Sequence, residues 1–351
     1  MSDAPILIAK DALHAYAKAI LVADGVGAAT ADSWVRVLVW ANLRGVDSHG
    51  VIRIPRYLDL LGKGAVNRRP EMRIERRSGA IAVLEADHAP GPVAMERAMA
   101  EAIDRAREVH IGWCAARNIT HAGAVGYYAL QAAEAGMAGI VMTASGPLMA
   151  YHGARVAGLS TNPLAIAVPA GKRAPYLHDM STSNVSMGKL LNARDKKTPI
   201  PTGWGIDAQG RDTNDPMQVA TLLPVGGAKG SGLSFMIECL ASLALSNPLI
   251  APALAAASGT ENPILNGVAV AIDLAAFGML DDFRREADTL GDAISGLPPA
   301  EGVDRIFLPG ERGDATLKQR AANGIPIPQG TWARIVKEAD ARGVSRPSLD
   351  R

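Results

Sequence analysis

Apolar residues recur every three to four positions over segments 11–23 and 30–43, a period that predicts two amphipathic helices. In the second, Trp34, Val35, Leu38 and Val39 form the buried stripe, Thr30 is placed to cap the start, and Gly45 to stop the helix. Ile54, Leu58 and Leu61 give a third helix ending at Gly62 to Gly64, so the chain up to this point reads as mainly helical. The pattern then changes. Segment 80–85 predicts a strand, Pro92 opens a long helix whose Met95, Met99 and Ile103 share one side, and 111–116 predicts a second strand. A helix over 123–135 and a strand over 139–143 follow, with later strands at 164–168, 176–180 and 267–272. Segment 229–245 opens with glycines and becomes strongly apolar, as a buried helix does. The alanine-rich 250–258 predicts a surface helix or loop, and 331–341 a last helix able to return to the N-terminal ones. The expected fold is mixed α/β.

Length changes this picture by dividing it. At 351 residues the chain exceeds what one core usually supports, which predicts two domains or one domain with a large insertion. A net charge of +1 without long like-charge blocks leaves no footprint for nucleic acid. The basic run Arg68, Arg69, Arg73, Arg76, Arg77 is interrupted by Glu71 and Glu75 and reads as a solvated face. Cys114 and Cys239 fall in separate apolar runs, which predicts buried thiols in a reducing compartment. The sequence starts without a basic, then apolar, leader, and no uninterrupted apolar run reaches the roughly 20 residues needed to span a bilayer, so a cytoplasmic protein without a membrane partner is expected. Glycine and proline concentrate at 145–175, 199–232 and 308–330, predicting ordered loops around a site.

The richest chemistry lies in RGVDSHGVIRIPR, residues 44–56. Reducing a 2-oxo acid needs a group that ionises near neutral pH to protonate the developing alkoxide, which points to the imidazole of His49. The substrate's carboxylate needs a permanently charged fork, which points to Arg53 ahead of Arg56. Gly45 and Gly50 frame the Asp47-Ser48-His49 triplet and predict a helix end or tight turn. An ordinary helix end, with Asp47 capping the next helix, is the structural alternative.

Neither G-x-G-x-x-G nor G-x-x-x-x-G-K-[ST] occurs, so a nucleotide would be bound without the usual fingerprints. Three other segments offer anion-binding backbone. THAGAVGYY, 120–128, places His121 before a glycine-containing helix start; LPVGGAKGSGLS, 223–234, sets Lys229 among glycines at the mouth of an apolar helix; and LPGER, 308–312, centres on Gly310. In HDMSTSNVSMGK, 178–189, Asp179 can accept from ribose hydroxyls, while a capped strand-to-helix loop is the plainer reading. His14, His88 and His110 read as structural or solvated, while His152 and His178 lie near candidate site loops. With no H-E-x-x-H or similar spacing, no metal is expected.

Taken in order, LRGVDSHGVIRIPRY, HAGAVGYYAL, LSTNPLAIAVPAG, DMSTS with MGK, IPTGWGIDAQGRDTNDP, GGAKGSGL and PGER resemble the malate/L-lactate dehydrogenase family distinct from the Rossmann-fold enzymes of those names. The resemblance covers roughly residues 10–330. It implies an NAD- or NADP-dependent oxidoreductase acting on a small carboxylate, such as a 2-oxo/2-hydroxy acid or a cyclic imino acid like Δ1-piperidine-2-carboxylate. It also implies a mixed or antiparallel non-Rossmann cofactor-binding sheet and a homodimer. A helical domain would form from both chain ends, 1–75 plus 315–351, around an α/β domain, 76–314. By motif position His49 would be the acid/base, Ser48 its hydrogen-bonding partner, Arg53 the carboxylate clamp, and His121 the position acting as proton acceptor in ureidoglycolate-type members. Thr161 would touch substrate, and Ser145, Asp179, Met180, Ser181, Lys229, Pro309, Gly310 and Glu311 the cofactor. The chain departs from the family where AYHGAR, 150–155, replaces an aromatic glycine-rich segment, bringing His152 toward a substrate-shaping loop.

Overall fold

A computed structural model describes residues 4–256 and 264–347. Its centre is a seven-stranded sheet in the spatial order Arg73–Ser78, Ile81–Glu85, Ile111–Ile119, Leu265–Asp273, Met137–Ala144, Leu164–Val168, Tyr176–Met180. Every neighbouring pair is antiparallel except Ile81–Glu85 with Ile111–Ile119, the pair joined through helix Gly91–Val109. A parallel pair needs such a crossover, and this one covers a sheet face.

Both faces of the sheet are buried, and side-chain alternation sorts residues between them. Along Leu265–Asp273, Ala269 and Ala271 point into a core with Met95, Met99 and Tyr128 of helices Gly91–Val109 and Gly126–Glu134. Their neighbours Val268 and Val270 point the other way, onto Ile237 and Ala241 of helix Ala228–Ala241. Helix Gly91–Val109 presents Ala94, Ala98, Ala102 and Ala106 to the sheet, so backbones approach closely. At Gly112 a Cβ would lie 1.7 Å from the Ala102 carbonyl oxygen.

The chain ends meet. Strand Ile6–Ile8 pairs antiparallel with Ile325–Ile327, and helices Lys10–Ala23, Ala28–Leu43, Ile54–Gly62 and Gln329–Asp340 surround one core containing Trp34, Leu38, Leu61, Ile325 and Ile335. Helix Ala28–Leu43 has a second buried side. Its Val37 enters the sheet core, which couples the helical layer to the sheet. A four-stranded sheet, in the order Gly205–Ile206, Thr221–Leu222, Met149–Ala150, Ala157–Leu159, shares a smaller core with helix Met187–Lys196.

The expected helices and strands are present with local corrections. Helix Ala28–Leu43 begins before Thr30, with Gly27 rather than a side chain at its cap. The helix expected from 123 begins at Gly126, because Gly123 has φ +71° and the preceding residues form a turn. Cys114 is buried, while Cys239 is only half-buried. Of the alanine-rich segment, Ile250–Ala255 is helical and its last two residues lie outside the described ones. Part of the basic run forms edge strand Arg73–Ser78, whose Arg77 pairs with Glu101. Ala228–Leu245 is long and apolar enough, by composition, to cross a bilayer. One side of this stretch packs on the sheet through Ile237, Ala241 and Leu245, while Phe235, Met236 and Leu243 are exposed.

Gly112→Ala is expected to destabilise the fold by about 1–3 kcal/mol, because the new methyl must displace helix backbone from the sheet. Urea unfolding should show a lower midpoint at similar slope. An unchanged midpoint would mean that the helix can lift without loss.

Candidate active site

Helix Ala28–Leu43 gives way to two 3₁₀ turns, Asp47–His49 and Val51–Arg53, before helix Ile54–Gly62 begins with Pro55 near its start. Asp47 does not cap a helix. Its carboxylate accepts from Asn42 Nδ2 at 2.7 Å and from both terminal nitrogens of Arg320, at 2.7 and 3.1 Å. Asn42 Oδ1 also accepts from the Val51 N–H at 2.9 Å. Arg44 pairs with Asp314 and donates to the Gly310 carbonyl at 3.0 Å. Helix Glu311–Asn323 thus holds this turn from the far end of the sequence.

On the held turn, Ser48 Oγ lies 2.9 Å from His49 Nδ1, and Arg53 Nε donates to the Ser48 carbonyl at 2.6 Å. Among the described residues, no carboxylate pairs with Arg53. The His49 and His121 rings stack with centroids 5.5 Å apart and planes 19° apart. Tyr57 Oη lies 2.8 Å from His121 Nδ1, and the Gly123 N–H donates to the same nitrogen at 3.3 Å. Solvent still reaches both imidazoles, but protein surrounds them closely, as on the floor of a cleft. That desolvation, with the nearby Arg53 charge second, lowers His49 to about 4. His121 is driven well below the ordinary histidine value by burial, then Arg53 and His49. Gly188 abuts Ser48; a Cβ there would sit 2.4 Å from Ser48 Cβ.

The remaining expected residues lie around helix starts and sheet edges. Asp179, on edge strand Tyr176–Met180, accepts from the Gly126 N–H at 2.9 Å. The helix start offered to phosphate by THAGAVGYY is therefore met by the chain's own carboxylate. Burial raises the Asp179 pKa, and the Gly126 hydrogen bond opposes that shift. Ser181 Oγ contacts Ser183, and the Thr161 carbonyl accepts from the Thr182 N–H at 3.3 Å. Ser145 N–H donates to Asn162 Oδ1, while Asn162 Nδ2 donates to the Ser234 carbonyl, fastening this loop to helix Ala228–Ala241. Half-buried Met180 ends its strand. The Pro309 carbonyl accepts from Leu177 N–H, Gly310 turns at φ +93°, and Glu311 pairs with Arg173 and Arg305.

Lys229 is exposed in the first turn of helix Ala228–Ala241. The amide cradle expected there is largely closed, because the N–H groups of Gly227, Lys229, Gly230 and Ser231 all donate to backbone carbonyls of residues 224–227. Anion affinity at this end rests on the Lys229 ammonium and the helix's positive pole. These features fit the pyrophosphate of a dinucleotide. His152 packs its ring against Gly227, and its main-chain N–H donates to Ser231 Oγ at 2.8 Å, placing it beside this loop. His110 instead pairs with Asp273, and His178 is exposed on its strand. Among the described residues, no three His, Cys, Asp or Glu side chains converge as metal ligands. Sequence reasoning missed Tyr57, although its four-residue spacing from Arg53 is a helical-neighbour signal. It also missed Asn42 and Arg320, and no local pattern could have joined Arg320 to Asp47 across 273 positions.

Comparison with known proteins adds the class to this geometry. Across 335 residues the chain is 32% identical to ureidoglycolate dehydrogenase (NAD(+)) of Escherichia coli O157:H7, covering 95% of each. It is 38% identical to malate dehydrogenase of Pyrococcus horikoshii over 332 residues, covering 92% of this chain and 91% of that one. The solved structure of malate dehydrogenase from P. horikoshii OT3 superposes with a TM-score of 0.88 at 34% identity, covering 97% of each chain. Delta(1)-pyrroline-2-carboxylate reductase of Ancylobacter novellus is 30% identical, covering 95% of this chain and 97% of that one. Mixed sheet, helical layer and histidine cleft therefore belong to an oxidoreductase. Residues 8–336 match the family described as malate/L-lactate dehydrogenase, and the chain belongs to that family.

The two lowered histidine pKa values set a stability trend. At these two imidazoles the unfolded chain binds more protons than the folded protein below about pH 6.5. The contribution of the neutral rings is fully present above that value and is lost as pH falls toward the His49 value of about 4. Asp179 acts in the opposite sense because its folded pKa is raised. The urea midpoint should drop between about pH 7 and pH 5, and less steeply in a His49→Gln/His121→Gln double variant. Equal slopes would contradict the histidine origin of the trend.

Proposed function

We propose that the protein catalyses reversible oxidation of a small 2-hydroxy acid to its 2-oxo acid with NAD or NADP. The observation carrying this reading is the stacked His49–His121 pair beside the Arg53 guanidinium, which has no carboxylate partner among the described residues. Bound nicotinamide would supply the two-electron acceptor at its C4. In oxidation, an imidazole would take the substrate O–H proton as C2 gives up its hydrogen with the bonding electron pair and the C2–O bond becomes a carbonyl. Arg53 holds the carboxylate, Thr161 borders the substrate, and Ser48 orients His49. Ser145, Asp179, Met180, Ser181, Lys229, Pro309, Gly310 and Glu311 surround the dinucleotide in this proposal. Glu311 acts through its arginine pairs, and Lys229 offsets phosphate charge.

The electrostatics support both directions. His49 at about 4 is a ready base at neutral pH, while a carboxylate on Arg53 would cancel part of the field that discourages its protonation. A second reading, reduction of a cyclic imino acid, is favoured by similarity to the pyrroline-carboxylate reductase; the proton would then go to nitrogen. The helical division 1–75 plus 315–351 around 76–314, a homodimer and a cytoplasmic location complete the proposal. The common core of both chain ends supports the division.

Absorbance of NADH and NADPH should be followed with 2-oxo acids and Δ1-pyrroline- or Δ1-piperidine-2-carboxylates in parallel. Turnover of an oxo acid supports the first reading, while turnover confined to imines transfers the assignment to the second. Arg53→Lys should mainly raise KM for the carboxylate substrate, because the bidentate fork is lost. Wild-type KM and kcat in that variant would remove Arg53 from its assigned role.

A further inference from the structure

The two histidines need not share one job, and their hydrogen bonds differ. We propose that His121 is a fixed neutral Nε2–H donor to the reacting substrate oxygen, that Tyr57 is the positioning residue holding it in this tautomer, and that His49 alone moves the proton. This rests on the dehydrogenase reading above.

A neutral imidazole carries one N–H and one bare nitrogen, and the partners decide which is which. At His121 both partners lie at Nδ1. The Gly123 main-chain N–H can only donate, so Nδ1 is the bare nitrogen. The Tyr57 hydroxyl, 2.8 Å away, must donate to the same lone pair. Burial raises Tyr57 to about 12, so it keeps its proton over the working range. Addition of a second proton to His121 is opposed first by burial, then by Arg53 and His49. Its single proton therefore sits on Nε2.

That ring can polarise an oxygen but cannot cycle a proton at ordinary pH. As a base it lacks a lone pair on Nε2; as an acid it would become imidazolate. His49 has no such lock. Its Nδ1 faces the Ser48 hydroxyl, which donates or accepts as required, leaving His49 Nε2 free to be bare or protonated. During alcohol oxidation the substrate proton passes to His49 Nε2 as the carbonyl forms. His121 Nε2–H stays intact and hydrogen-bonds the oxygen before and after. The same proton returns from His49 in reduction.

Imidazole ¹⁵N spectra of the whole protein test the tautomer without requiring turnover. His121 should keep protonated Nε2 and bare Nδ1 from about pH 5 to 9; Tyr57→Phe leaves Nδ1 with the longer 3.3 Å Gly123 N–H contact and should admit a measurable share of the Nδ1–H tautomer. His121 titrating in that window, carrying Nδ1–H, or remaining unchanged in Tyr57→Phe would overturn the proposal. Kinetics divide the roles. Glutamine at 121 retains an N–H donor but cannot titrate, so His121→Gln should lose roughly ten-fold in kcat, while His49→Gln loses about 10²–10⁴-fold. Equal collapse of both variants would overturn the division. If no oxo acid or imine is turned over by the wild-type protein, the dehydrogenase reading falls, while the ¹⁵N result still decides the tautomer.

Discussion

The placement of Asp47 is the constraint on which the site depends. Its carboxylate is gripped by Asn42 from the preceding helix and by Arg320 from near the other chain end. Exposed ion pairs contribute little, but Arg320 is only 16% exposed, presents a two-nitrogen fork, and also donates to the Asn42 carbonyl. What the contact fixes is direction. With Asp47 held, the two short turns can run only one way into helix Ile54–Gly62, and Ser48, His49 and Arg53 project to the same cleft. Antiparallel pairing of Ile6–Ile8 with Ile325–Ile327 brings the distant helix within reach of these polar contacts.

The recess created by this closure governs its chemistry through desolvation. Protein packed around His49 and His121 disfavours a positive ring, and the same low polarisability makes Arg53's charge felt by both. The resting cleft is one cation with two neutral imidazoles, so an arriving carboxylate meets unbalanced positive charge. In the proposed reaction, binding and protonation would thereby be coupled through one guanidinium. A more exposed arrangement would screen Arg53 and weaken that coupling.

Much of this architecture was legible locally. The apolar stripe with Trp34 and Leu38, the four-residue rhythm of Met95 and Met99, and the strand runs at 139–143 and 267–272 predict elements that the structure contains, because burial imposes their periods. The triplet around His49 also marked a polar cluster that the structure contains, with Ser48, His49 and Arg53 tied together on one turn. Other features had no local signature. Asp47 looks like a cap until Arg320 arrives, and the Gly126 amide looks free until Asp179 folds onto it. Tyr57 reads as another apolar position of its helix, since its function lies in one oxygen directed at a ring in another segment. The strand pair joining the ends is only three residues on each side, too short for periodicity to distinguish it from loop.

The sheet itself explains why the usual nucleotide fingerprint is absent. In an open parallel sheet, ligand and helix starts gather at the strands' carboxyl ends, where a glycine turn can expose a row of amides. Here neighbouring strands mostly oppose one another, so no edge collects those ends. The glycines before Lys229 serve a different need: they fold the loop back so that its amides satisfy its own carbonyls. In the proposed site, charge recognition would then fall to the exposed ammonium of Lys229 and the helix pole, both less directional than an amide cradle. Orientation must come instead from the recessed end, where Arg53 and the two rings are fixed by the chain's closure. In the proposed reaction, the adaptable cofactor end and rigid substrate end follow from this one difference in strand direction.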